Sequence, residues 1–254
     1  MPDWKAHIDL IHPCWAAYRK LLARLPGGEF PNPAALSALL PAGLQSAGGK
    51  PVRFRPAAEL PGVVYEQHIF ETGEVSTRAE NWHDLFNALA WARFPALKSA
   101  MNALHHRHLG EAHDGRRGRQ RDALTLLDES GALVLTSDAS LRHALRKKDW
   151  SRAFVERRDA WSSTAVLIPG HAMLEKFLAP YKAMTAQALI LDLPAATPVE
   201  AVDGLLADRL LGEDLLASTK DLSPLPLAGI PGWWTGEPQD AAFYADTGVF
   251  RPAR

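Results

Sequence analysis

A single cysteine, Cys14, among 254 residues excludes an intrachain disulfide and a cysteine-rich zinc site. An excess of either charge is also missing: 28 Lys and Arg stand against 29 Asp and Glu. No whole-molecule field therefore draws the chain to nucleic acid or a membrane, and any attraction for anions must be local. No apolar run approaches the roughly 18–20 residues of a membrane span. The opening "MPDWKAHIDL" has no basic segment followed by an apolar one, as a secretory signal would. A cytoplasmic protein that engages no membrane is expected. The motifs G-x-G-x-x-G, P-loop, G-x-S-x-G and C-x-x-C are absent, which argues against dinucleotide, NTP, serine-hydrolase and thioredoxin-like chemistry. The oligomeric state leaves no signal in the sequence.

What remains is 47% hydrophobic and 22% charged, the composition of a folded chain long enough for a sizeable core. Mixed helices and short strands without a βαβ rhythm predict one α+β domain over 1–254. It is expected to be mostly helical, with one or two β-hairpins or a short sheet. An N-terminal helical part spans 1–50, a motif-bearing α+β core 51–193, and a helix with an irregular aromatic-rich arm 194–254. Ile8, Ile11, Trp15, Tyr18, Leu22 and Leu25 recur at helical spacing, predicting a helix from Asp3 to about Leu25. Asn32 and Pro33 mark a short helix start. "VVYEQHIFETG" (63–73) has the composition of a strand, with Glu66 and His68 on one face. Two helices, 78–94 and 96–109, follow around Pro95. A charged loop, "GEAHDGRRGRQ", leads to "RDALTLLDESGALVLTSD", which predicts a β-hairpin around Asp128-Glu129-Ser130-Gly131. Strands over 164–170 and 187–193 and helices over 139–158 and 198–211 complete the pattern.

The segment "TRAENWHDLFNALAW" (77–91) fits a capping box, with Thr77 as N-cap and Glu80 reaching back. Trp82, Leu85, Phe86 and Leu89 then form an apolar stripe, while His83, Asp84, Asn87 and Trp91 share another arc. Asp, Asn and His each lose several tenths of a kcal/mol of helix propensity against Ala. A merely wet face would carry Lys, Glu or Arg, so short polar groups beside a Trp point to a pocket wall. The next helix repeats the arrangement with Lys98, Asn102 and His105. "HHRH" (105–108) is a poor metal cluster, because neighbouring histidines on a helix point apart. In the expected hairpin, Asp122 alternates with Leu124 and Leu126 at the rim of the core face, where a carboxylate needs a partner. Arg116, Arg117, Arg119 and Arg121 crowd nearby as an anion clamp, since guanidinium groups bind phosphate or carboxylate bidentately. His171 begins a helix after Pro169-Gly170, a turn where functional histidines occur but where an ordinary first-turn residue is the better account.

The pieces "YEQHIFETG", "TRAENWHDLFNALAWARFP", "MNALH", "RGRQRDALTLLDESGAL", "PGHAMLEKF", "PLPLAGIPGWW" and "FYADTGVFRP" resemble a family of uncharacterised bacterial proteins grouped as a domain of unknown function. The resemblance covers most of the chain from about residue 60. It implies a bacterial protein of one full-length domain and brings no activity, cofactor or catalytic residue with it.

Two functions are then expected from the residues. One is a hydrolase-type enzyme acting on a phosphate- or carboxylate-bearing substrate. His83 is the base or, with Asp84, the ligand of a divalent metal, and Asp122 orients a histidine or acts as acid/base. Arg78, Asn81, Asn87, Trp91, Lys98, Asn102, His105, Arg119 and Arg121 are the candidate substrate-binding residues. The alternative is a non-catalytic protein that binds a small anion, RNA or a protein, with near-neutral charge disfavouring nucleic acid. A third reading leaves the polar cluster as an organiser of the fold alone.

Overall fold

In the computed structural model, residues 3–109, 115–212 and 215–252 are described. About half of the chain is helical and 12% is strand, in two small sheets, which makes the fold α+β. The short helices α1 (Arg19–Arg24) and α2 (Pro33–Ser37) precede strand β1 (Arg53–Pro56). Helix α3 (Tyr65–Thr72) leads into β2 (Glu74–Thr77), which pairs in parallel with β1. Helices α4 (Trp82–Arg93), α5 (Pro95–Leu109) and α6 (Gly115–Ser130) follow, and then β3 (Gly131–Leu135) and α7 (Ala139–Lys147). The remainder is β4 (Ala165–Leu167), α8 (His171–Lys176), β5 (Thr185–Leu191), α9 (Val199–Leu211), β6 (Ser223–Pro226) and α10 (Ala241–Tyr244). No helix among the described residues is long and apolar enough to cross a membrane.

The larger sheet has the order β4-β3-β5-β6, with β3 and β5 parallel and both outer pairings antiparallel. All five residues of β3 are buried, so "GALVL" is a continuous apolar run because both of its faces are covered. Helices α6 and α7 pack on this sheet, α5 packs on α9 and α3, and α4 packs on α8. The break between α4 and α5 is sealed from a distance. Pro95 has no N–H to satisfy, and the Asp203 carboxylate of α9 accepts from the Ala96 and Leu97 amides at 2.9 and 2.8 Å.

Five local expectations fail, each for a physical reason; one is the helix over 139–158, which ends at Lys147 because Lys148 takes φ 56°. The hairpin over 121–138 is not formed: 115–130 is helix α6 running directly into β3, and the expected loop at 115–120 belongs to that helix. Residues 110–114 of that loop lie outside the described residues. Ala123, Leu124 and Leu127 are all buried, a 3.6-residue period that outweighs the alternation of Asp122, Leu124 and Leu126. The strand over 63–73 is instead helix α3, whose C-cap Gly73 has φ 75° and ends the helix. The long N-terminal helix is cut at Pro13 into short turns and α1; Ile8, Trp15, Tyr18, Leu22 and Leu25 are buried as expected, but Ile11 is exposed. Thr77 does not cap α4. Glu80 takes φ 51°, which the helix cannot continue through, and Asn81 is the N-cap, its Oδ1 accepting from the Asp84 amide at 3.0 Å.

Two glycines bring α8 against the α6–β3 junction. The Gly170 amide donates to the Gly131 carbonyl at 3.2 Å, and a Cβ on Gly170 would lie 2.3 Å from the Gly131 nitrogen. Backbone fills that space, so no side-chain adjustment relieves the clash. Gly170→Ala is expected to destabilise the fold by about 1–3 kcal/mol through overpacking. Thermal melting of the variant checks this; an unchanged Tm would mean that the close approach is dispensable.

Candidate functional site

A cavity of about 600 Å³ opens between α3, α4, α5, α6 and α8. From α6 it is lined by Arg121, Thr125, Asp128 and Glu129. These lie at i, i+4, i+7 and i+8, one face of the helix. The first turns of α4 supply His83, Asp84 and Asn87, α3 supplies Tyr65 and Glu66, α5 supplies His105, and α8 supplies His171. The volume is that of a small-molecule pocket.

Beneath the cavity, a buried ammonium organises the polar wall. Lys98 Nζ donates to Asp128 Oδ1 at 2.6 Å and to Asn87 Oδ1 at 2.9 Å, and lies 5.5 Å from the centre of the Trp91 ring. The direction of each bond follows from donor chemistry. An ammonium only donates, so Asn87 turns its oxygen toward Lys98 and its amide nitrogen toward Tyr65. Asn87 Nδ2 donates to the Tyr65 hydroxyl oxygen at 2.8 Å. Tyr65 is thus an acceptor in that bond and keeps its own hydrogen unspent, on a side chain that lines the cavity. Burial raises the Tyr65 pKa well above its ordinary value, so this hydrogen stays in place. Desolvation pushes Asp128 up, but Lys98 and the neighbouring histidines outweigh it and hold its carboxyl below the usual range.

At one end of the cavity, two imidazoles face each other. His83 Nε2 and His171 Nε2 are 3.0 Å apart, with the rings at 71°. His83 Nδ1 is 3.2 Å from Glu175 Oε2, and His171 Nδ1 is 3.8 Å from Asp128 Oδ1. Glu175 follows His171 by four residues on α8, so one helical face presents both partners of His83. Glu129 Oε2 lies 3.7 Å from His171 Nε2. Single ligand atoms of His83, Glu129 and His171 all fall within 4.8 Å of one another. Burial pushes the His171 pKa down to about 4, against the pull of Asp128, and raises that of Glu129, where the Asp128 charge adds to the effect. Burial also lowers His105.

Of the residues singled out from the sequence, Arg78, His83, Asp84, Asn87, His105 and Arg121 line this one cavity. Asp84 is not free to hold a metal beside His83. Both of its oxygens are taken by Arg78, whose Nη2 and Nε donate at 2.7 and 3.0 Å and whose amide donates at 2.6 Å. Asn81 is consumed as the N-cap of α4. Lys98 and Asn102 stand one layer behind the lining, Asn102 Nδ2 donating to Glu66 Oε2 at 2.7 Å. Trp91 is wholly buried in the core and does not reach the cavity. Asp122 and Arg119 are exposed on α6 outside the lining, because the helix turns them away from the face that carries Arg121. The neighbours of His105 are engaged elsewhere: His106 stacks on Phe70 at 3.7 Å and His108 Nε2 meets Gln120 at 3.0 Å. Glu66 reaches the cavity, whereas His68 pairs with Glu74 at 3.2 Å.

Asp128, Glu129, Tyr65 and Glu175 are not among the residues that the sequence pattern singles out, and for His171 that pattern favours an ordinary first-turn residue. The first two were hidden in a supposed turn, although Arg121, Thr125, Asp128 and Glu129 form a polar stripe once 115–130 is given a helical period. Glu175 had a signal of its own, four residues after His171.

A family model described as "Protein of unknown function (DUF3025)" matches residues 52–254, and the chain belongs to that family. Comparison with curated proteins and with solved structures found no match.

Removing one partner of a buried ion pair strands the other charge. Lys98→Met is expected to destabilise the protein by about 3–5 kcal/mol. Asp128 titrates lower in the fold than in the unfolded chain, where its value is near 3.8. The contribution of the pair is therefore fully present above that pH and lost only as pH falls below it. Denaturant unfolding of wild type and variant across acidic pH checks both points: the gap between them should close only at the acid end.

Proposed function

We propose that this member of the DUF3025 family is a hydrolase acting on a small substrate that carries a phosphate or carboxylate group. The observation that carries the reading is the convergence, in one cavity, of a water-activating cluster and an unpaired cation. The cluster is His83, His171 and Glu129, with Glu175 and Asp128 behind the imidazoles. The cation is Arg121, which has no carboxylate partner among the described residues and lines the same cavity. A guanidinium left without a partner at a pocket wall is suited to an incoming anion.

In this reading Arg121 and His105 hold the anionic group, and the scissile bond lies toward the histidine pair. Water held there adds to the electrophilic carbon or phosphorus, the bond to the leaving oxygen or nitrogen breaks, and the proton lost by water ends on the leaving group. Tyr65 donates its unspent hydrogen to the oxygen that gains charge as the bond forms, a role worth most where the donor is already oriented. Arg78 and Asp84 fix the α4 entrance and do no chemistry.

A panel of phosphomonoesters, phosphodiesters and carboxylate-bearing esters and amides tests the proposal. For a substrate found this way, Tyr65→Phe should lower kcat by roughly 10²–10³ with little change in KM. Arg121→Ala should raise KM about tenfold or more while sparing kcat, since a charge-assisted bond contributes about 1.5–3 kcal/mol. Asp122→Asn should match wild type. If phosphate binds, and Arg121→Ala weakens it, but nothing is turned over, the cavity is a binding site and the hydrolytic reading falls.

A further inference from the structure

The two facing imidazoles pose a question of donors and acceptors. His83 Nδ1 lies 3.2 Å from the Glu175 carboxylate, so its hydrogen belongs there and its Nε2 carries a lone pair. His171 is 4% exposed, and its Nδ1 faces Asp128, whose Oδ1 lies at 3.8 Å and whose backbone carbonyl also acts on the imidazole. A lone pair at that nitrogen would confront a carboxylate, so the hydrogen sits on Nδ1 here too, and Nε2 again carries a lone pair. Two nitrogens that each carry a lone pair then lie 3.0 Å apart, and the 4.4 Å between ring centres tilts both lone pairs off the line joining them. That arrangement is repulsive unless a positive charge is shared by both nitrogens.

We infer that His83 Nε2, His171 Nε2 and the Glu129 carboxylate form a binding site for a divalent transition-metal ion of the zinc class. Zinc bound to histidine at about 2.0–2.1 Å in tetrahedral geometry sets its nitrogen ligands about 3.3 Å apart, close to what the two rings present. Glu129 Oε2 is 3.7 Å from His171 Nε2, and its side chain is 42% exposed, free to swing the short distance inward. Two imidazoles and one carboxylate are a borderline nitrogen–oxygen set suited to zinc. Three protein ligands leave a fourth position for water, the pattern of catalytic rather than structural zinc. Glu175 and Asp128 supply the carboxylates behind each histidine that fix ring orientation and raise ligand basicity. The ligands come from α4, α6 and α8, so the ion ties together three walls of the cavity. This assignment deepens the hydrolytic reading, because a bound ion brings the pKa of its water near neutrality, but its test needs no substrate.

The full-length protein, stripped with a chelator and shown to be folded by circular dichroism, is titrated with ZnCl2 by calorimetry and with CoCl2 by visible absorption. One ion per chain and the intense d–d bands of four-coordinate cobalt are expected. His83→Ala and Glu129→Gln should each abolish or sharply weaken uptake, Glu175→Gln should weaken it roughly 10–100-fold, and His143→Ala, on the exposed face of α7, should leave it unchanged. Because His171 is buried, His171→Ala is read only if it folds, and the two more exposed ligands carry the test. A folded wild type that takes up no ion at micromolar metal overturns the site, leaving a shared proton between the rings. Uptake that survives both His83→Ala and Glu129→Gln overturns it as well. Metal bound in the absence of any turnover would sink the hydrolase and keep the site; turnover that persists in the metal-free protein would do the reverse.

Discussion

The ammonium of Lys98 is the constraint on which the cavity depends. It sits below the wall with 6% of its side chain exposed and bonds Asp128 of α6 and Asn87 of α4. An isolated ammonium at that depth would cost several kcal/mol, and only a charged and a neutral oxygen together offset it. Once those bonds form, little else is free to choose. Asn87 can face only one way, Tyr65 must accept from it, and Asp128 is fixed where His171 passes. Three helices thus acquire a common register from one buried cation.

Around this hub the charges are distributed by depth. Arg78 and Asp84 neutralise one another at the mouth, and Lys98 and Asp128 do so at the floor. Between them lie groups whose charge is not settled internally: Arg121, Glu129 and the two histidines. Burial keeps His171 neutral and holds a proton on Glu129 to higher pH than usual. Groups with displaced titration gathered in one cleft are the usual physical mark of a reactive or binding site. The closing of α5 by Asp203 from α9 keeps the second wall in place from outside the cavity.

How much of this was legible in the sequence depends on whether the pattern was local. The polar arc of α4 was legible because short, poor helix formers at 83, 84 and 87 conflict with propensity, and they do line the cavity. The apolar positions of α4, the strand over 185–191 and α9 were legible from their periods. The charge clusters misled where composition mimicked a turn. Asp128-Glu129-Ser130-Gly131 looks like a hairpin, but Gly131 is needed because a Cβ there would lie 2.1 Å from the Leu127 carbonyl oxygen as helix passes into strand. With a hairpin expected in place of that helix, Asp122 stands where the cavity wall is really lined by Asp128 and Glu129, six and seven residues or about two turns further on. The pairing of His83 with His171, 88 residues apart, had no local trace at all. The packing of α8 against α4 and α6 brings them together.

That separation has a consequence for how the molecule comes into being. The cavity takes side chains from positions as distant as Tyr65 and His171, and the helix that completes it, α8, emerges after β3 and β4 have been made. Contacts so far apart in sequence must wait for the intervening chain to collapse, since loop closure opposes them until neighbouring structure is in place. A growing or clipped polypeptide that ends before residue 171 therefore holds one imidazole and no counterpart. Such a chain lacks one wall of the cavity, which is complete only once about two-thirds of the 254 residues have been synthesised and packed.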